Sequence, residues 1–141
     1  MALRWQRPTL DTRFHIDLSW WVEQGRDIRV YLADLLCDEC AGTLTQLSAD
    51  QMIDSVNPQT GEVHQVDPLW DSLISCCSHK PEYLSDDIPI VDGVFRILVA
   101  NGNRALSVRE LHERLGKRSP EVILRTLTAG EVYLGLRPYR A

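Results

Sequence analysis

Between Ser107 and Gly130 the chain carries helix starts and stops so close together that two short helices have to fold back on one another. Ser107-Val-Arg-Glu110 is a capping box, in which the serine hydroxyl and the glutamate carboxylate each satisfy a free backbone N–H of the other. Val108, Leu111 and Leu115 then recur at the spacing of a buried helix face, and Gly116 supplies the residue type that ends a helix in the left-handed conformation. After only Lys117-Arg118, Ser119 and Pro120 start a second helix, a side-chain cap followed by a ring whose missing N–H is not needed there. That helix turns Val122, Ile123, Leu124 and Leu127 inward, and Gly130 closes it. Two helices joined by so tight a glycine-containing turn form a helix-turn-helix.

The flanking segments extend the pattern. Upstream, Val91, Val94, Phe95 and Leu98 build one apolar helix face after Pro89 and before Asn101-Gly102. Downstream, Glu131-Val-Tyr-Leu134 reads as a strand, with Gly135 and Pro138 allowing a turn after it. In this arrangement residues 88–139 resemble the winged-helix superfamily, with 107–115 as the scaffold helix, 119–129 as the recognition helix and Val132 onward as the wing. The resemblance implies that the recognition helix enters the major groove of duplex DNA. Its exposed candidates are Glu121, Arg125, Thr126 and Thr128. Arg125 suits a two-pronged contact to guanine, and Arg109, Lys117, Arg118, Arg137 and Arg140 suit phosphates. The same fold also serves as a protein-binding module, so the fold does not decide between a DNA-associated protein and a protein–protein adaptor.

The N-terminal part reads differently. Phe14, Ile16 and Leu18 alternate with His15 and Asp17 in the period of a half-buried strand, and Ser19 to Gln24 make a short helix stopped by Gly25. From a cap at Asp27, the residues Ile28, Tyr31, Leu32, Leu35 and Leu36 recur at helical spacing. Extended runs at 51–56 and 62–66, separated by Asn57-Pro-Gln-Thr-Gly61, predict a β-hairpin. Asp67 and Pro68 then predict the start of a helix that places Leu69, Trp70, Leu73 and Ile74 on one side.

These elements deliver four cysteines. Cys37-Asp-Glu-Cys40 has the spacing that brings two thiolates to one tetrahedral metal ion, and Cys76-Cys-Ser-His79 offers the second pair. Cys37, Cys40, Cys76, Cys77 and His79 therefore compose either an all-cysteine site or one with three cysteines and a histidine, with His15 or His64 as substitutes for His79. Structural zinc (Zn2+) is the expected occupant. The alternatives are an iron–sulfur (Fe–S) cluster, a redox dithiol or ordinary buried cysteines. Four protein ligands would leave no open coordination position for a substrate, so such a centre staples rather than catalyses.

The expected architecture is thus α+β: a small N-terminal module of helices and a β-hairpin with a zinc site over 1–80, a linker at 81–87, and a winged helix-turn-helix over 88–141. Charge divides in the same place. Residues 1–87 hold six basic and fifteen acidic side chains, a net of −9, and residues 88–141 hold nine and five, a net of +4, within an overall −5. A basic segment beside an acidic one suits a polyanionic partner at one end and a protein partner at the other. No nucleophile elbow, glycine-rich phosphate loop or HExxH occurs, and the His15/Asp17 pair is more simply a solvated strand face, so no enzyme is expected. The tryptophans Trp5, Trp20, Trp21 and Trp70 read as core rather than as a ligand cage. With no apolar run of membrane-spanning length and no leader-like segment, the expected setting is the cytoplasm, the expected partners are duplex DNA and a protein, and a metal or redox sensor is the third functional reading.

Overall fold

The computed structural model describes residues 7–44, 53–56 and 59–140. Trp5 and the start of the first expected hairpin run, with Asn57 and Pro58 of its loop, lie outside them. The fold is α+β, in the order β1 (Arg13–Ile16), α1 (Leu18–Glu23), α2 (Ile28–Ala33), α3 (Asp38–Leu44), β2 (Ile53–Val56), β3 (Val63–Val66), α4 (Pro68–Ser75), α5 (Ile90–Ala100), β4 (Leu106–Ser107), α6 (Val108–Leu115), α7 (Pro120–Thr128) and β5 (Leu136–Pro138). Short 3-10 turns at Cys77–His79 and Pro81–Leu84 connect α4 to α5.

Local chemistry sets most helix ends. The carboxylates of Asp17, Asp27 and Asp67 accept from the backbone N–H two residues on, at the starts of α1, α2 and α4, and Pro68 occupies the first turn of α4. Both arms of the Ser107–Glu110 capping box are formed, Gly116 ends α6 at φ 71°, and the Ser119 hydroxyl caps α7.

The three-stranded antiparallel sheet has the order β4-β1-β5, so its middle strand comes from the far end of the chain. Arg13 faces Ser107 and Phe14 faces Leu106 on one side, while Phe14, His15 and Ile16 face Pro138, Arg137 and Leu136 on the other. Strand alternation sends Phe14 and Ile16 fully into the core. Strand β4 is too short to pair with Ile16. Asn103, at φ 59°, takes its place: its side-chain oxygen accepts from the Ile16 N–H at 2.8 Å and its amide donates to the Ile16 carbonyl at 2.9 Å. The last strand begins later than the residue pattern of 131–134 suggests. Leu134 and Gly135 both take positive φ, and Leu136 N–H closes a turn on the Tyr133 carbonyl at 3.0 Å, so extended pairing starts only at Leu136. Gly135 is required there, because a Cβ would lie 2.9 Å from both the Asp17 carbonyl oxygen and Trp21 Nε1.

One buried cluster runs through the molecule. Phe14, Ile16, Trp21 and Leu32 lie in it together with Phe95, Leu98, Leu111 and Ile123. Trp21 sits at its centre, tilted against Tyr31 and Phe95, with its indole N–H donating to the Leu134 carbonyl at 3.1 Å. Across the segment expected to link two modules, Tyr83 is buried; its hydroxyl donates to the Arg96 carbonyl at 2.7 Å, and the Arg96 guanidinium returns a bond to the Tyr83 carbonyl at 2.9 Å. Burial pushes the Tyr83 phenol well above its ordinary range. The hairpin of β2 and β3 pairs Ile53 with Val66 through Val56 with Val63. Among the described residues no helix is long and apolar enough to cross a membrane.

Candidate metal centre and basic groove

The sulfurs of Cys37, Cys40, Cys76 and Cys77 all lie within 4.8 Å of one another. Cys37 ends the loop after α2, and its carbonyl accepts from Cys40 and Ala41 as α3 begins, so the first turn of α3 folds Cys40 back beside Cys37. The second pair is adjacent in sequence. Successive side chains on a regular helix diverge by roughly 100° and would not share a centre. Cys76 leaves the helical region, at φ −127° and ψ −66°, and a 3-10 turn begins at Cys77, so the two consecutive sulfurs converge. The Arg29–Asp67 ion pair and the packing of Leu32 and Leu73 hold α2 against α4, which brings the two pairs together.

The donor set fits one tetrahedral ion. Bonds of about 2.3 Å from sulfur to zinc place tetrahedral sulfurs about 3.8 Å apart, and the present spread needs only small side-chain adjustments to reach that. Cys37 and Cys77 stand 3.2 Å apart, too far for a disulfide, and all four thiols are free. The Cys37 backbone N–H donates to the Cys77 sulfur at 3.2 Å, which favours charge on that sulfur. A hydrogen bond from Cys77, then one from the Cys40 backbone, lower Cys37 to about 7. The Cys40 thiol is pushed up by its contact with Cys76 and by burial, and Cys77 is pushed up by burial. Thiols crowded in this way resist joint ionisation unless a cation sits among them. Beside the cluster, Lys80 pairs with Glu39 at 3.0 Å, which raises the lysine, and Glu39 lies 4.0 Å from the Cys76 sulfur.

His79 is exposed and does not belong to the four-sulfur group. His15 lies on β1, in a different part of the molecule, and His64 falls in β3, whose side chains lie outside the description. Glu39 lies between Cys37 and Cys40 in the sequence, but its pairing with Lys80 was not legible there, because it depends on the turn after Cys76 that brings Lys80 across to α3.

The residues read as DNA contacts separate into two sets. Lys117 donates to the backbone carbonyls of Asp86 and Ile88, at 2.5 and 2.6 Å, tying the α6–α7 turn to the segment before α5. Arg109 pairs with Asp11 at 3.0 Å, Arg137 with Asp17 at 2.9 Å, and the Thr126 hydroxyl donates to the Val122 carbonyl of its own helix. Arg118, Arg125 and Arg140 are exposed, and no ion pair or hydrogen bond occupies their heads among the described residues. Arg118 takes a positive φ of 64° in the α6–α7 turn.

Arg125, Arg137 and Arg140 line one groove of about 990 Å³ between α7 and the β1–β5 side of the sheet. Leu124, Leu127, Val132 and Leu136 form apolar wall in it, and Arg7, His15, Asp17 and Glu121 also face it. Arg7 carries no sequence signal of its own; it shares the groove lining with Arg140 because β1 is the strand next to β5. Compared with known proteins, the chain matches no protein-family model, no curated protein and no solved structure.

Proposed function

We propose that this is a non-enzymatic, zinc-stapled, DNA-associated protein of winged-helix type. In this reading α5, α6 and α7 are the three helices, and β4 and β5 are the first and second strands. The third strand, which lies between them in the sheet order, is β1. The place of the wing falls to the segments that leave this strand pair, 7–12 and 139–140. The observation that carries the DNA reading is the set of exposed arginines on and beside α7, Arg118, Arg125 and Arg140, which have no ion pair among the described residues, in the half of the chain with net positive charge. Arg125 reaches outward from the helix itself, and the other two flank it, the arrangement that positions a helix against phosphates.

Zinc is the occupant the four thiolates suit best. All the sulfurs are close enough for a single ion, whereas the ligands of an iron–sulfur cluster attach to different irons and stand further apart. When bound, the ion supplies cross-linking between the α2–α3 and α4 segments, with no position left for a substrate.

Duplex binding followed by fluorescence anisotropy tests the DNA reading. Affinity should fall steeply between about 50 and about 200 mM salt, and each of Arg118→Ala, Arg125→Ala and Arg140→Ala should lower the salt slope by about 1. A chain that binds no duplex at low salt refutes it. A second reading, a protein–protein adaptor, is favoured by the apolar wall of the groove beside α7, which phosphates do not need.

A further inference from the structure

The groove between α7 and β5 combines features that a phosphate track alone does not explain. Leu124 and Leu127 are neighbours on one face of α7, and with Val132 they form the apolar lining of the groove, backed by the buried Leu136. Glu121 is the exposed acid at the groove; the other carboxylate, Asp17, is already neutralised by Arg137 at 2.9 Å. Among the described residues no ion pair engages the exposed Arg7, Arg125 and Arg140 around the wall. The local balance is therefore positive over an apolar floor, the complement of a ligand that is apolar on one side and acidic on the other.

The form of that ligand follows from the sheet edge. β5 is an outer strand, but Gly135 C=O and Tyr139 N–H point toward β1, so by alternation Leu136 and Pro138 present their backbone outward. Leu136 N–H is already given to the Tyr133 carbonyl, and Pro138 has none. An added strand would find no outward N–H along β5, only the carbonyls of Leu136 and Pro138, and so could form only the half of a ladder in which β5 accepts. A helix needs no ladder and brings its own apolar stripe at i, i+3 and i+4.

We infer that this groove is the docking site for an acidic amphipathic helix of a partner protein, its apolar stripe lying on half-buried Leu124, Leu127 and Val132 and its carboxylates meeting Arg7, Arg125 and Arg140. The inference rests on α7 being the partner-facing helix, as proposed above, and it makes the acidic helix and duplex DNA competitors for Arg125 and Arg140.

The test uses the full chain, loaded with zinc, and a fluorescein-labelled helical peptide of about four turns built from leucine and glutamate with one apolar face. A second peptide has the same composition scrambled so that no face forms. Saturable binding of the first, at least about ten-fold tighter than of the scrambled peptide, is expected. The exposed-site variants Arg7→Glu and Arg140→Glu should each weaken it about ten-fold without moving the thermal midpoint, and Leu127→Glu should abolish it. Arg118→Glu, outside the groove lining, should weaken duplex binding but leave the peptide bound. That variant separates failure of the DNA reading from failure of this one. Equal binding of both peptides, or none, overturns the inference. So does duplex binding that the amphipathic peptide cannot displace, or a concentration-dependent dimer lost in Arg140→Glu, which would make the occupant nucleic acid or a second copy of this chain.

Discussion

The region around the sulfurs and the region around α5, α6 and α7 are held together by different means. In the first, among the described residues, full burial falls to a few side chains, among them Leu32, Leu73 and Cys77, and half-buried Ile28, Tyr31, Leu35, Leu36, Leu69 and Trp70, the Arg29–Asp67 pair and the clustered thiols add to them. In the second, Val94, Phe95, Leu98, Val99, Val108, Leu111 and Ile123 are completely enclosed. Under the zinc reading proposed above, one region would draw part of its stability from a ligand and the other rests on apolar burial, and the mutually packed rings of Trp21, Tyr31 and Phe95 join them.

The largest expected effect follows from removing the proposed zinc. Chelation, or Cys40→Ser, should abolish metal binding and raise amide exchange throughout α2, α3 and α4, while α5 to α7 keep their protection. Binding energies of about 10 kcal/mol or more for structural zinc in small peptides indicate the scale available. Uniform loss of protection would show that the two regions unfold as one unit, and unchanged exchange would remove the metal from the stability of the fold.

Gly135→Ala strikes the second region at its junction with the first. The new methyl would have to share space with Asp17 and Trp21 at a positive φ, and a loss of about 3 kcal/mol in denaturant unfolding is expected, with metal content unchanged. Ser107→Ala removes one arm of the capping box and should cost about 1 kcal/mol, confined to the second region. A larger loss in either variant accompanied by metal release would mean that the two regions are more tightly coupled than their packing indicates.

The smallest effect is in acid. The Ser19 hydroxyl, then Arg137, hold the Asp17 carboxyl below its usual range, and the Ser107 backbone N–H does the same for Glu110. Because the folded values lie below the unfolded ones, the stability these groups contribute is present above pH of about 4 and drains away as pH falls through the folded values. Asp17→Asn should flatten the acid limb of a stability–pH profile measured from pH of about 6 down to about 2. An unchanged limb would show that the Asp17–Arg137 pair contributes nothing to joining β1 and β5.

Much of this architecture was legible because its signals are short-range. A capping side chain bonds within three residues of itself, so Asp27, Asp67-Pro68, Ser107–Glu110, Gly116 and Ser119-Pro120 mark helix ends without any knowledge of the fold. The cysteine pairs were legible as well, since their spacing bears directly on whether thiolates reach one ion. Sequence spacing left Cys77 and His79 as rival ligands, and the turn at Cys76 brings the sulfur rather than the imidazole into the group.

Residue types by themselves determined an α+β chain with two clustered cysteine pairs and a tight pair of helices near its end, because local hydrogen bonding and hydrophobic period are written within a few positions. Only the tertiary structure decided that β1 is the middle strand of a sheet completed by β4 and β5, since strand pairing depends on which edges meet and not on how far apart they lie in the chain. That pairing brings Arg7 and Arg140, from opposite ends of the sequence, to the lining of one groove.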